Sequence, residues 1–407
     1  MIKRAIKEDI VKSLDLKEIS IITGARQIGK TTLLKEIIGE LNKQQKKSLY
    51  FNLDIEEDRK YFNAQQDLLN KIRLEVGQEH AYIFIDEIQQ KEDAGRFLKG
   101  IYDMNLPYKF IVTGSGSLEL KEKISEALTG RKYLIEMNPV SFSEFTNYKT
   151  HYKYSNRLPE FFEIEKSTGL QLLNEYMTYG GYPAVITADT HTRKQEIMNE
   201  VFSSYISKDL SFLLGLRHPD KFIRLIKLLA VQSGNIINYS RLSQDTGIRT
   251  ETLKTYLWYA EQTFIIRVVN PWFSNPKKEL TKSPTIYFND LGMLNFNRNN
   301  FNTVGGMIFQ NFIHLQLQNQ FTKRLSRINY WRTKDKAEVD FILNSGEEVI
   351  PVEVKHKALK KPEIERSFRS FIKTYKPKRG IIYNLDYSGH IQISETEVRF
   401  KRFWEVI

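Results

Sequence analysis

The 407-residue sequence contains no cysteine, which excludes disulfides, thiolate nucleophiles and cysteine-based zinc modules together and says nothing of compartment. No apolar run approaches the roughly 20 residues of a membrane-spanning helix. The opening Met1-Ile-Lys-Arg-Ala-Ile-Lys-Glu-Asp9 is too charged for a secretory leader. A cytoplasmic protein without a membrane partner is the expectation. Internal repeats and low-complexity tracts are missing as well. So is net charge over residues 1–165, where 26 Lys and Arg face 26 Asp and Glu. The whole excess of +12 lies beyond them, as 16 basic against 11 acidic residues over 166–300 and 19 against 12 over 301–407. A polyanion such as DNA is therefore expected to meet the rear two thirds; a lysine-rich solvated surface is the plainer reading of the same distribution. At 41% hydrophobic and 27% charged residues the chain is globular, and its length suits two to four domains.

What is present is organised around Ile19-Ser-Ile-Ile-Thr-Gly24-Ala25-Arg26-Gln27-Ile28-Gly29-Lys30-Thr31-Thr32-Leu33-Leu34. A β-branched apolar run enters a loop of spacing G-x-x-x-x-G-K-T. Leu33, Leu34, Ile37, Ile38 and Leu41 then recur at helical spacing. In a strand-loop-helix of this kind the loop amides and the positive helix end cradle phosphate oxygens. Gly24 and Gly29 let the backbone approach closely. Lys30 reaches the β- and γ-phosphates, Thr31 offers a hard oxygen to Mg²⁺, and Thr32 adds a further phosphate contact.

Residues 1–165 alternate strands with helices, the pattern of an α/β parallel sheet covered on both faces. Strands are expected at 19–23, 48–53, 81–86, 108–113 and 132–137. The third ends in Asp86-Glu87, where the aspartate suits a magnesium shell and the glutamate can orient or deprotonate an attacking water. The fourth runs into Thr113-Gly-Ser115-Gly-Ser117, whose hydroxyls suit a γ-phosphate or that water; a turn capping the next helix reads the same way. Arg131 follows Gly130 where a helix gives way to the fifth strand. It suits a phosphate of its own or a neighbouring subunit, and equally a plain surface position.

These features resemble the AAA+ ATPases. More narrowly, Thr23-Gly-Ala-Arg-Gln-Ile-Gly-Lys-Thr31, Asp86-Glu-Ile-Gln89, Pro139-Val-Ser-Phe-Ser-Glu-Phe145 and Gly180-Gly-Tyr-Pro183 are similar to bacterial and archaeal predicted ATPases with an AAA domain, a winged helix and a C-terminal restriction-nuclease-like domain. The resemblance implies strand order 5-1-4-3-2, ATP and Mg²⁺ on Lys30 and Thr31, Asp86 and Glu87 in Walker B roles, Thr113 or Ser115 as sensor and Arg131 as arginine finger. An arginine finger acting in trans implies a homo-oligomer.

Beyond the first domain (1–165), a helical lid is expected at 166–215, with a sharp Gly180-Gly181-Tyr182-Pro183 turn that serves as a hinge or as a simple interhelix connection. Residues 216–300 read as helix, short helix, turn at Thr246-Gly247, longer helix and a strand at 264–269, which resembles a winged helix. Arg249 and Lys254 would face DNA, with Lys277, Lys278 and Lys282 in the wing; Glu251 and Glu261 on the same helix count against it. Over 301–407, Asp340 and the Glu353-Val-Lys355 alternation bring two carboxylates and a lysine to one sheet face. This resembles the D…E-x-K centre of restriction-like nucleases, in which the acids share a divalent ion and the lysine steadies hydroxide or phosphate. Gln310 stands where active members often carry a glutamate, and Glu338 is placed to compensate. Active nuclease, inactive nuclease-like fold and unrelated fold all stay open. The expected function is ATP binding and hydrolysis coupled to a basic, DNA-contacting rear half. An ATP-regulated metal-dependent nuclease and an ATP-dependent protein-binding switch are the alternatives.

Overall fold

In the computed structural model, residues 1–115, 127–207, 219–273, 282–302, 304–321 and 327–406 are described, Ser115 and Phe321 by their backbone alone. The run Ile19–Gly24 forms β1, buried at every position, because it lies inside a parallel sheet whose two faces are both covered. It pairs with β4 (Tyr108–Ser115) on one side and β5 (Lys132–Glu136) on the other. With β2 (Ser48–Asn52) and β3 (Ala81–Asp86) the order is β2-β3-β4-β1-β5, all parallel, which is the expected 5-1-4-3-2. Parallel neighbours require crossovers, supplied in part by helices Lys30–Lys43, Gln65–Val76 and Ala94–Asp103.

The two faces have different fates. Ile21, Ile83, Ile85 and Val112 pack with Leu68, Ile72, Phe97 and Leu98 in a core of their own. Ile22, Phe84, Ile111 and Ile135 join a second core that runs without a break from Ile2 to Val406. Apolar packing is therefore shared across all four expected segments. Among the described residues no helix is long and apolar enough to cross a membrane.

Helices Lys166–Tyr179, Pro183–Thr187 and His191–Ser204 follow. Gly180 takes φ +72, and a Cβ there would overlap the Asp290 carboxylate. The Gly181 amide donates to Asp290 Oδ2 at 2.6 Å, while its carbonyl accepts from Val140 N at 2.8 Å. The Gly180-Gly181 turn, expected as a hinge or a simple interhelix connection, is thus held from both sides. A Cβ on Gly181 would collide with the Val140 carbonyl oxygen, a backbone atom with little room to move. Gly181→Ala is expected to lower unfolding free energy by about 2–4 kcal/mol, read by denaturant titration.

Asp290 makes the clamp sensitive to pH. Burial pushes its carboxyl up to about 6, against backbone donors at Gly181, Met293 and Gly292. A folded-state value above the unfolded one means that folding takes up a proton, so the stability is complete below the ordinary Asp value near 3.8 and is lost as pH rises through 6. Relative to Asp290→Asn, which cannot titrate, wild-type stability should fall by about 1–3 kcal/mol between pH 4 and pH 7. Parallel unfolding curves for the two proteins across that window check it.

Helices Pro219–Val231, Tyr239–Thr246 and Thr250–Gln262 precede an antiparallel pair, β6 (Ile266–Val269) and β7 (Thr285–Phe288), and Ile236 adds a single bridge to Thr285. The strand expected at 264–269 starts two residues later. Phe264 has φ +64 and, with Ile265, closes the end of the helix through bonds to the Glu261 and Ala260 carbonyls. Their apolar character serves the core, not a ladder.

Helix Gly306–Phe321 then leads to β8 (Arg327–Arg332), β9 (Glu338–Asn344) and β10 (Val349–Val354) as an antiparallel meander. Helix Arg366–Tyr375 crosses to β11 (Arg379–Asn384), parallel to β10. β12 (Gly389–Ile393) and β13 (Thr396–Arg402) complete a six-stranded sheet of order β12-β13-β11-β10-β9-β8. Arg267 on β6 joins three parts of the chain: it pairs with Glu136 at the end of β5 and donates to Asn289 Oδ1 at 3.2 Å, and Gln318 of the long helix accepts from it once that amide is turned.

Candidate functional site

Every strand of the five-stranded sheet points its C-terminal end to one edge, and there β1 turns into the Gly24–Gly29 loop. A Cβ at Gly24 would overlap the Met137 carbonyl oxygen, and Gly29 takes φ +96 as the residue before helix Lys30–Lys43. Arg4 braces the loop from outside, donating to the Ile28 carbonyl at 3.0 Å and the Asn138 carbonyl at 2.6 Å. Lys30, 5% exposed, lies folded back along the loop, its Nζ 3.0 Å from the Gly24 carbonyl and 2.8 Å from that of Ala25. Phosphate oxygens would compete with these carbonyls for the ammonium. The helix at Pro183 comes close too, since a Cβ on Gly29 would lie 3.9 Å from Pro183 Cγ.

β3 delivers Asp86 to the same place at 1% exposure. Its Oδ2 accepts from Thr31 Oγ1 at 2.6 Å and Tyr50 OH at 2.8 Å, and its Oδ1 accepts from Thr113 Oγ1. A carboxylate and a threonine hydroxyl already in contact form the donor set Mg²⁺ takes beside a triphosphate, so these residues fit the ion. Glu87 has φ +57 and donates its backbone amide to Thr113 Oγ1 at 3.3 Å; its carboxylate accepts from Gln89. Burial pushes its carboxyl above the ordinary range, although Lys30 and Gln89 pull the other way. A carboxylate with a raised pKa is a better base near neutrality.

The structure thus brings Lys30, Thr31, Asp86, Glu87 and Thr113 together. Ser115 ends β4 opposite Gly24 in the register, and its side chain lies outside the described residues. Arg131 is elsewhere. It precedes β5 at the edge where β1 begins, its carbonyl accepting from Ile19 N at 2.9 Å and its Nε donating to Asp103 at 2.8 Å. The length of β1, at about 3.3 Å per residue, separates it from the loop, so a finger reaching phosphate within its own chain is corrected. Tyr50, Arg4 and Gln89 are parts of the site that the sequence reading missed. Tyr50 carried a signal: the implied strand order makes β2 the neighbour of β3, and Tyr50 lies two residues from their common edge.

At the C-terminal sheet, Asp340 Oδ1 accepts from Gln310 Nε2 at 2.7 Å and Oδ2 from Val354 N at 2.7 Å. Glu353 Oε1 accepts from Lys355 Nζ at 2.8 Å, and Lys355 also reaches Glu365. Burial raises both acids, with Glu353 adding to the rise at Asp340. Of these carboxylate oxygens, Glu353 Oε2 is buried without a partner. Glu338, expected to compensate for Gln310, pairs with Arg332 at 3.1 Å. Among the described residues no group of three or more His, Cys, Asp or Glu side chains is arranged to hold a metal ion. At the expected Asp340–Glu353 ion site, Asp340 is thus engaged at both oxygens and Glu353 keeps one open.

Arg249, just before helix Thr250–Gln262, and Lys254 on it are exposed, and Lys254 Nζ lies 5.7 Å from the Tyr239 ring centroid. Glu261 is turned away, accepting from Val268 N at 3.1 Å. Lys282 is exposed, and Lys277 and Lys278 lie outside the described residues.

Similarity to known proteins divides the chain into three stretches. Residues 16–146 match the AAA domain family AAA_14, and residues 170–303 and 305–397 match two domains of unknown function, DUF8612 and DUF4143. An uncharacterized protein of Methanocaldococcus jannaschii is 29% identical, covering 99% of this chain and 91% of its own. One of Haemophilus influenzae is 24% identical over 98% and 96%. Among solved structures, AMPPCP-bound DnaA from Aquifex aeolicus aligns at TM-score 0.27 and 15% identity, over 64% of this chain and 89% of that one, a likeness too loose to argue from. Residues 16–146 are thus similar to an AAA domain, and the two stretches that follow are similar to domains of unknown function.

Proposed function

We propose that the protein binds ATP at the Gly24–Thr31 loop and hydrolyses it, and that nucleotide state is passed to a basic rear half that contacts DNA. The observation that carries the reading is the meeting of Lys30, Thr31, Asp86, Glu87 and Thr113 at one sheet edge. Loop amides and Lys30 bind the phosphates, Thr31 and Asp86 hold Mg²⁺, and the ion when bound neutralises charge on the β- and γ-oxygens. Glu87 takes the proton of the attacking water, and Thr113 ties the Asp86 carboxylate to the Glu87 backbone amide. Tyr50 keeps Asp86 oriented. Arg267 couples the end of β5 to the module at 219–288, whose element order is that of a winged helix with Arg249, Lys254 and Lys282 toward DNA.

The C-terminal sheet supports an inactive nuclease-like fold, since uncharged Gln310 stands against Asp340 where a glutamate would add a negative ligand. ATP turnover with and without duplex DNA tests the main reading; a protein that neither binds nor turns over ATP with Mg²⁺ overturns it. Incubation of wild type with supercoiled DNA and Mg²⁺ or Mn²⁺ is expected to leave the DNA intact. Nicking that disappears in Asp340→Ala would reverse the assignment of the C-terminal domain.

A further inference from the structure

A cleft of about 880 Å³ opens among the helices that follow the parallel sheet, and none of Gly24–Thr32 lines it. Its walls come from the ends of helices Phe142–Lys149 and Lys166–Tyr179, from residues 186–195 and from Phe301 and Asn302. Lys149 and Lys194 both direct Nζ at the same atom, Glu175 Oε1, at 2.8 and 2.7 Å. Lys194 is nearly withdrawn from water, its side chain 7% exposed. Burial works to raise the Glu175 carboxyl, yet the two lysines hold it below the ordinary range, so one carboxylate carries two ammonium groups. A single negative charge leaves that pair half neutralised, and Asp189 stands exposed at the rim. An incoming anion would complete the balance in a site partly screened from solvent.

Beside the lysines is an aromatic wall. The Tyr179 ring stacks on His191 at 5.4 Å and 28° and on Phe301 at 5.9 Å and 19°. The Tyr179 hydroxyl bonds to His191 Nδ1, and Lys194 Nζ lies 4.8 Å from the Tyr179 centroid. Exposed amides of Asn174, Gln195 and Asn302 complete the lining. Paired cations beside flat rings and amides match the parts of one ligand class: a phosphate, a planar base and the polar edge of that base.

We propose that this cleft is a second nucleotide site, separate from the Gly24–Thr31 loop, in which Lys149 and Lys194 hold the phosphate of a free nucleoside monophosphate and the Tyr179–Phe301 wall receives its base. The test uses the full chain carrying Lys30→Ala, so its outcome does not depend on the loop. Calorimetric titration with AMP and GMP is expected to show one site. Lys149→Gln and, separately, Phe301→Ala should each weaken it by about tenfold or more, while thermal melting shows the variants folded. Inorganic phosphate should bind more weakly than either nucleotide and compete with them. Absence of binding at about 5 mM nucleotide, on the weak side of the millimolar scale, overturns the proposal. So does binding that both substitutions leave unchanged. An oligothymidylate that binds far more tightly than AMP, and is weakened by the same two substitutions, would assign the cleft to a nucleic-acid strand and overturn the free-nucleotide assignment.

Discussion

Lys30→Ala is expected to reduce ATP affinity by about a hundredfold or more, from the loss of charge-assisted bonds worth about 3 kcal/mol together. The ammonium lies directly against the loop, 2.8–3.0 Å from the Gly24 and Ala25 carbonyls. Removing it leaves the Gly24 and Ala25 carbonyls without that donor, so a cost of about 1 kcal/mol in the nucleotide-free protein is also expected. The loop is braced independently by Arg4, and the fold should survive. Titration of a fluorescent ATP analogue into wild type and variant, each checked by thermal melting, separates the two effects. A variant that melts near wild type and still binds within about threefold of its affinity, well under the 1.4 kcal/mol of a tenfold change, would show that the phosphates are held elsewhere.

How far the sequence disclosed this arrangement depends on the range of the interaction. The loop and β1 follow from local rules, a β-branched run and two glycines at fixed spacing, and the Asp86 strand end is equally local. Tyr50 on Asp86 and Arg4 on Ile28 are contacts made across 36 and 24 residues, and periodicity carries no trace of them. Arg131 misled because a helix-to-strand step fixes its neighbours in the chain but not the edge of the sheet it reaches. That edge is set by the parallel register of Ile19 with Lys132. The paired glycines at 180–181 signalled a sharp turn correctly, yet whether it bends or is clamped is decided by Asp290 and Val140, 109 and 41 positions away in the sequence. At the C-terminal sheet the alternation of Glu353 and Lys355 gave the shared face. The engagement of Asp340 by Gln310 required the helix to be placed in three dimensions.

Glu87→Gln should separate binding from turnover. The substitution keeps shape and removes the proton acceptor, so kcat is expected to fall by about 10²–10⁴-fold, the usual range for a positioned general base, while ATP affinity stays within about threefold of wild type. The pH profile distinguishes this role from a structural one. Because burial raises the Glu87 carboxyl above the ordinary range, the base is lost by protonation at a higher pH than for an exposed glutamate. Wild-type turnover should therefore rise with pH through that elevated value and then level off, and the residual turnover of Glu87→Gln should lack the rise. Stability moves the other way by the same logic. A raised folded-state value marks a charge that folding disfavours above it, so the nucleotide-free Glu87→Gln protein should gain in stability on wild type as pH rises from below the ordinary glutamate value near 4.5 through the elevated one. A drop in turnover of less than about fivefold, with the pH rise intact, would remove Glu87 from the chemistry. The water would then have to be activated by another group at the same sheet edge, with Thr113 and Asp86 the next to be replaced.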